Sequence, residues 1–451
     1  MAKHKFDYDV IVIGGGISGL AAAKTLSDSR LKIAIVEQNE TGSSAELSLR
    51  ALMTSAHALD EARRASAFGL RVNTLGYNYP SINNWRELVA KRAKKELTPE
   101  KLQKLGVDAF RGRAHFLSPN EISIARRHLT AEKFVICTGS ELSTPNIIGL
   151  NEIDYLTPES ISNLSRLPKS LFIVGAGRTG VQLAEFFSVF GVKVYLADTK
   201  KRILAREDDE ISELLANVLS KIRGVEILNS TRVVSVENES PLVRVNYLNG
   251  EDEKSVKVDR VLIATGRKPA IDLGLENAGI EFDAEGIKVN DFLAASRNIF
   301  AAGDVLGRYA DTAVSAQESR TVAMNMTSKS KATLNYHAAS RVIWTTPEVA
   351  TAGATEAELI RQDVTFKSTI IQNSAVQRSN VTNFSVGFTK IITDEKGRLL
   401  AANVVGPNSA ETINVATLAI SAGLTVDDIA AAMPAFGSWA EALHLAASKT
   451  R

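Results

Sequence analysis

Two stretches of the chain repeat one alternation of apolar and polar character. Asp9-Val10-Ile11-Val12-Ile13 reads as a buried strand, apolar from Val10 onward, followed by Gly14-Gly15-Gly16-Ile17-Ser18-Gly19 and the Ala-rich Leu20 to Leu26. A second apolar run, Ile33 to Val36, ends at Glu37. Leu171-Phe172-Ile173-Val174 then leads into Gly175-Ala176-Gly177-Arg178-Thr179-Gly180, the helix-like Val181 to Phe190, and Val192 to Ala197 ending at Asp198. Short continuous apolar runs predict buried strands, and the longer apolar-rich stretches predict helices packed on them. Each stretch therefore reads as strand, glycine turn, helix, strand and acid, a βαβ unit present twice.

The glycines point to a dinucleotide. The first of each set allows a tight strand-to-helix turn, the second close approach of backbone to a pyrophosphate, and the third close helix–strand packing. The helix N-terminus adds unpaired N–H groups and a positive dipole end. Glu37 and Asp198 stand at equal spacing after Gly14 and Gly175, where a carboxylate accepts hydrogen bonds from ribose hydroxyls. Three more strand ends share this layout: Phe134 to Gly139, Val261 to Gly266, and Asn298 to Asp304. From about Tyr336 no such turn recurs. Short runs such as Gly387 to Ile392 and Leu399 to Val405, followed by the helix-like Ala410 to Ala422, predict an antiparallel sheet with helices.

Composition narrows the class. The 451 residues suit several domains, and Lys plus Arg (53) balance Asp plus Glu (51), so nothing suggests a nucleic-acid surface. No apolar run approaches the about 18 residues of a membrane span, and the polar start predicts no signal peptide. A single cysteine, Cys137, excludes an intrachain disulfide, a CxxC motif and a thiolate zinc site, and fits the cytoplasm. Ending the run Phe134-Val135-Ile136, it reads as a buried hydrophobe on a strand rather than a nucleophile. The six histidines show no metal-ligand spacing, so no metal is expected.

In combination these motifs resemble the pyridine nucleotide–disulfide oxidoreductases, the family of glutathione reductase, dihydrolipoamide dehydrogenase, mercuric reductase and soluble transhydrogenase. The resemblance extends through Ala264 to Pro269, Ala302-Gly303-Asp304, Thr345 to Gly353 and Val405 to Asn408, nearly the whole chain. It implies an α/β fold with two doubly wound nucleotide domains and a C-terminal α+β dimerisation domain. The expected division is 1–150 and 269–333 for FAD, 151–268 for NAD(P) and 334–451 for a homodimer interface. For FAD it implies Gly14, Gly16, Gly19, Glu37, Thr138, Gly139, Gly303, Asp304, and Thr312 and Ala313 opening a helix near the flavin pyrimidine. Such a helix N-terminus favours the negative charge of reduced flavin. For the nicotinamide cofactor it implies Gly175, Gly177, Gly180, Asp198 and Gly266. The carboxylate of Asp198 suits the free ribose hydroxyls of NAD(H) over NADP(H), although Lys200, Lys201 and Arg202 follow it.

Departures from the family pattern set the expected function. The family's Cys-x4-Cys pair has no counterpart in Thr41 to Leu52, and its His-Pro-Thr-x-x-Glu becomes Phe436-Gly437-Ser438-Trp439-Ala440-Glu441. Thiols and thiol-directed base are missing together, so disulfide reduction by the family mechanism is not expected. Arg178 replaces a frequent Tyr, while Gln182 and Arg50 take the places of a Glu–Lys pair, so Arg50, Arg178 and Glu441 are candidate catalytic residues. A guanidinium there would hold an anionic acceptor or the nicotinamide diphosphate, or else pair with a local carboxylate. His444 could share a helix face with Glu441; an exposed polar pair is the plainer reading. The expectation is an FAD-dependent oxidoreductase passing hydride from NADH to flavin and then to a small-molecule acceptor: quinone, dye or metal, oxygen, or a second nicotinamide. The rival is a non-catalytic FAD/NAD-binding flavoprotein of the same fold.

Overall fold

The structure is a computed structural model that describes residues 5–38, 45–94, 98–309 and 311–450. In chain order its principal elements begin with β1 (Tyr8–Ile13), α1 (Ile17–Ser27), β2 (Ile33–Glu37) and α2 (Ala45–Arg64). Strands β3 (Val107–Arg111), β4 (Ala114–Ser118), β5 (Glu121–Ile124) and β6 (Arg127–Ile136) follow. The middle carries β7 (Ser170–Val174), α3 (Arg178–Val189), β8 (Lys193–Ala197), β9 (Glu226–Leu228) and β10 (Arg260–Ile263). Next come β11 (Ile299–Ala301) and α4 (Thr312–Thr327). The last third holds β12 (Ser340–Ile343), β13 (Glu348–Gly353), β14 (Lys367–Gln372), β15 (Phe388–Thr393), β16 (Leu399–Gly406), α5 (Ser409–Ala422) and α6 (Glu441–Thr450).

The chain forms two compact units. One comprises 1–48, 86–143 and 267–334; the other comprises 49–85, 144–266 and 335–451. In the first, a seven-stranded sheet runs β3-β2-β1-β6-β5-β4, with β11 also paired to β6. Strands β3, β2, β1, β6 and β11 are parallel, whereas β4 and β5 return antiparallel. Val10, Ile11, Val12 and Ile13 are buried, as a parallel strand covered on both faces requires.

In the second unit, β9-β8-β7-β10 form a four-stranded parallel sheet. Its last segment is a separate five-stranded antiparallel sheet in the order β12-β13-β16-β15-β14. Strand β15 lacks the one-sided alternation expected of an antiparallel strand with a wet face. Every residue of β15 is buried, Lys390 included, because both faces are covered. Helix α3 begins at Arg178, three residues before the apolar run that predicts it, because Gly177 is its N-cap and the glycine turn feeds it directly.

Candidate functional site

In the first unit, parallel strands bring the predicted residues to one sheet edge. Gly14 follows β1, Glu37 ends β2, Thr138 follows β6 by two residues, and Gly303 follows β11 by two. Gly14 has φ +107°, and a Cβ there would strike the Cys137 carbonyl; one on Gly19 would strike that of Gly14. A Cβ on Gly16, at the head of α1, would meet nothing within 4 Å. That is a cradle open to a ligand, flanked by closed packing, and it fits a pyrophosphate on the α1 N-terminus. The Gly15 N–H donates to Glu37 Oε2 at 2.6 Å, orienting the acid beside the cradle.

The rest of this edge is held by side chains with no signal in the glycine pattern. Ser140 Oγ donates to Asp304 Oδ2 (2.7 Å), and Arg267 holds Ser140 through Nε to Oγ (2.9 Å) and Nη2 to the carbonyl (2.7 Å). Thr138 Oγ1 donates to the Ala270 carbonyl, and the Gly139 carbonyl accepts from Ala270 N–H. Gly303, at φ +86°, donates its N–H to Glu318 Oε2 at 2.7 Å; Glu318 lies buried in the middle of α4. Ser18 and Ser319 hydrogen-bond each other where α1 meets α4. Ser140 and Arg267 directly follow predicted glycines, which was the available clue; Glu318 sits mid-helix, where a carboxylate ordinarily marks a solvated face.

Cys137 lies just past β6 rather than within it, its N–H donating to the Ile13 carbonyl at 2.7 Å. It is buried beside Ser319, and burial pushes its thiol up to about 11. Residues 41–44, the first part of the stretch compared with the thiol pair, lie outside the described residues. Thr312 and Ala313 do open α4; Asp311 caps it, its Oδ1 accepting from Ala313 and Val314 N–H groups at 2.8 and 3.4 Å.

The second unit repeats the cradle. A Cβ on Gly175 (φ +106°) would strike the Ala264 carbonyl and one on Gly180 that of Gly175, while Gly177 is open. Asp198 accepts from Ala176 N–H (2.7 Å) and Lys200 N–H (2.9 Å). Gly266, φ +103°, follows β10 at the same edge. Arg202 turns back on its own loop, paired with Asp209 at 2.7 Å and bonded to the Glu207 carbonyl at 2.9 Å.

Helix α3 carries the other candidates. Arg178 is its first residue, half-buried, and its carbonyl accepts from Gln182 Nε2. Gln182 Oε1 in turn accepts from Trp344 N–H at 2.9 Å, and the Arg50 guanidinium lies 4.2 Å from the Trp344 ring centroid. Arg50 and Gln182 thus meet at Trp344, a residue the sequence reading missed. One turn further, Glu185 is buried, accepting from Thr346 N–H with both oxygens (3.0 Å) and from Arg223. Burial pushes Glu185 up to about 7 against the pull of Arg223. Glu441 opens α6, and His444 follows on the same helix. His444 is half-buried rather than exposed, and its Nδ1 is buried without a hydrogen bond among the described residues. Phe436 is 88% exposed and Met433 97%.

Residues 8–319 match the pyridine nucleotide-disulphide oxidoreductase family profile, and residues 339–447 match the dimerisation domain of the same family. Mercuric reductase from Streptomyces lividans is 30% identical, the match spanning 99% of this chain and 97% of that protein. Dihydrolipoyl dehydrogenase from Chlamydia muridarum is 28% identical over 97% of each. Among solved structures, the Cu(II) complex of an HOCl-induced flavoprotein disulfide reductase from Escherichia coli superposes with a TM-score of 0.87 at 25% identity, covering 98% of this chain and 99% of that one. The chain belongs to the pyridine nucleotide-disulphide oxidoreductase family.

Proposed function

We propose that this chain is an FAD-dependent NAD(P)H oxidoreductase that passes reducing equivalents from flavin directly to an acceptor other than a disulfide: a quinone, a dye or metal species, oxygen, or a second nicotinamide. The observation that carries the reading is the coexistence of two complete nucleotide cradles with one buried cysteine. A thiol held at about 11 is protonated at neutral pH and is no nucleophile. When bound, FAD supplies the hydride acceptor and the electron relay.

The chain supplies binding and orientation. Gly14, Gly16 and Gly19 with the α1 N-terminus would take the FAD pyrophosphate and Glu37 its adenosine ribose. Asp304, oriented by Ser140, would take the ribityl chain, with Thr138, Gly139 and Gly303 shaping the edge and Thr312 and Ala313 at the pyrimidine end. Gly175, Gly177, Gly180, Asp198 and Gly266 would take the nicotinamide cofactor. NAD(H) is preferred: Asp198 opposes a 2′-phosphate, and Arg202 is committed to Asp209 rather than to a ligand. Arg178 and Arg50 would hold the nicotinamide diphosphate or an anionic acceptor, with Glu441 a remnant of the family's acid–base pair. The division 1–150 plus 269–333, 151–268 and 334–451 goes with these roles. A homodimer is supported by the matched dimerisation domain and the exposed Met433, Phe436 and Leu418. The single cysteine supports a cytoplasmic location, and no helix among the described residues is long and apolar enough to cross a membrane.

Anaerobic mixing with NADH tests the reading: flavin absorbance should bleach on the millisecond-to-second scale. Persistent colour would instead support a non-catalytic FAD/NAD-binding flavoprotein, a reading favoured by Phe436 standing where the family has its base. Protein that takes up no FAD, or turnover abolished by Cys137 alkylation with FAD retained, would refute the proposal. Arg178→Ala should raise KM for NADH or acceptor, and unchanged kinetics would remove Arg178 from the site. Light scattering should return the dimer mass.

A further inference from the structure

The stretch that replaces the family's thiol pair, Thr41 to Leu52, contains one acidic side chain, Glu46, in the first turn of α2. Glu46 reaches a distant helix. Thr312, the first residue of α4, donates its hydroxyl to Glu46 Oε2. One turn along α4, Ser315 Oγ donates to Asp304 Oδ1 at 3.4 Å. Residues three apart on a helix share a face and are about 4.5 Å apart along its axis. The α4 terminus therefore joins Glu46 to the Asp304 edge assigned to the FAD ribityl chain.

The helix end itself carries about half a positive elementary charge. Asp311, its N-cap, serves an ordinary structural purpose, satisfying the N–H groups of Ala313 and Val314. At Glu46, an amide oxygen would accept the Thr312 hydroxyl equally well. What a carboxylate adds is charge. A negative group at the positive end of α4 opposes the negative charge that FAD gains at its pyrimidine on reduction.

We infer that Glu46 tunes the bound FAD, lowering its reduction potential by placing a carboxylate on the α4 terminus, and so keeps the flavin a ready electron donor where relatives place sulfur. The inference rests on the cofactor reading above. Glu46 acts here as a tuning residue through the helix end, distinct from groups that touch the reacting atoms.

The test uses full-length protein loaded with FAD, titrated anaerobically against a redox dye of known potential and read by flavin absorbance. Glu46→Gln keeps size and acceptor oxygen but removes the charge; its ratio of reduced to oxidised flavin at a fixed dye ratio should rise about tenfold. Glu46→Asp, which restores the charge, should return to within about threefold of the wild type. An unchanged ratio in Glu46→Gln, or equal shifts in both variants, overturns the inference. So does loss of FAD by Glu46→Gln, because the charge would then govern binding rather than potential. A wild-type protein that takes up no FAD instead refutes the cofactor reading, whereas a yellow wild type with an unresponsive Glu46→Gln refutes only this inference.

Discussion

Gly177 and Gly180 lie three residues apart in one turn yet face opposite constraints, which makes them a sharp test of the second cradle. Gly177 has φ −75° and ψ −175°, extended backbone that alanine adopts without strain, and a Cβ there meets nothing within 4 Å. In Gly177→Ala, a weaker N-cap costs a few tenths to about 1 kcal/mol, and the lower entropy of the unfolded chain returns about 0.4–1 kcal/mol. Stability should therefore barely change. The methyl would instead occupy the cradle and lift the pyrophosphate off backbone donors. Losing charge-assisted hydrogen bonds worth about 1.5–3 kcal/mol each predicts NADH binding weaker by roughly 100-fold. In Gly180→Ala the Cβ runs into the Gly175 carbonyl, and backbone cannot step aside as a side chain can. Overpacking of about 1–3 kcal/mol or more should lower Tm by several degrees. Thermal unfolding, with NADH-concentration-dependent flavin bleaching and dithionite reduction as a control, separates the two. Gly177→Ala with wild-type NADH affinity, or with the instability expected of Gly180→Ala, would refute the cradle argument.

Two other positions carry predictions. Lys390 is fully buried, its ammonium 3.1 Å from Asp208, 2.9 Å from Glu210 and 2.8 Å from Glu356. Lys390→Met should cost about 3–5 kcal/mol by stranding buried Asp208, and adding Asp208→Asn should recover much of it; additive losses in denaturant titration would contradict this. Glu185 binds its proton more tightly in the folded state than at its ordinary 4.5, so its stabilisation is full below about 4.5 and is lost as pH rises to about 7. Glu185 should contribute a loss of about 3 kcal/mol across that window, read as the difference between the wild-type and Glu185→Gln pH profiles of stability; identical profiles would place the proton elsewhere.

Periodicity made the two βαβ units legible because a parallel strand buried on both faces leaves an apolar run that polar chain cannot imitate. The glycines were legible because each stands where a side chain would collide with backbone or fill the cradle. Glu37 and Asp198 were legible as the acids that close the second strand of each unit. Other features depended on contacts distant in sequence. Lys390 sits in a run that reads as a half-wet strand, and only three carboxylates brought over it make its burial tolerable. Glu318 resembles a solvated helical glutamate until the Gly303 N–H is seen to need it. Trp344, where Arg50 and Gln182 converge, belongs to no motif. Residues 49–85 give no sign in the sequence that they pack in the unit holding 144–266.

Burial of Cys137 also decides which chemical insults this protein can sense. Thiol alkylators and mild thiol oxidants find no reachable sulfhydryl, so such agents leave its cysteine chemistry silent. In the single protomer, the most exposed thioether among the described residues is Met433, at 97%, and its conversion to the sulfoxide is reversible by dedicated reductases. The sulfur left open to oxidants is thus one whose first oxidation product can be repaired.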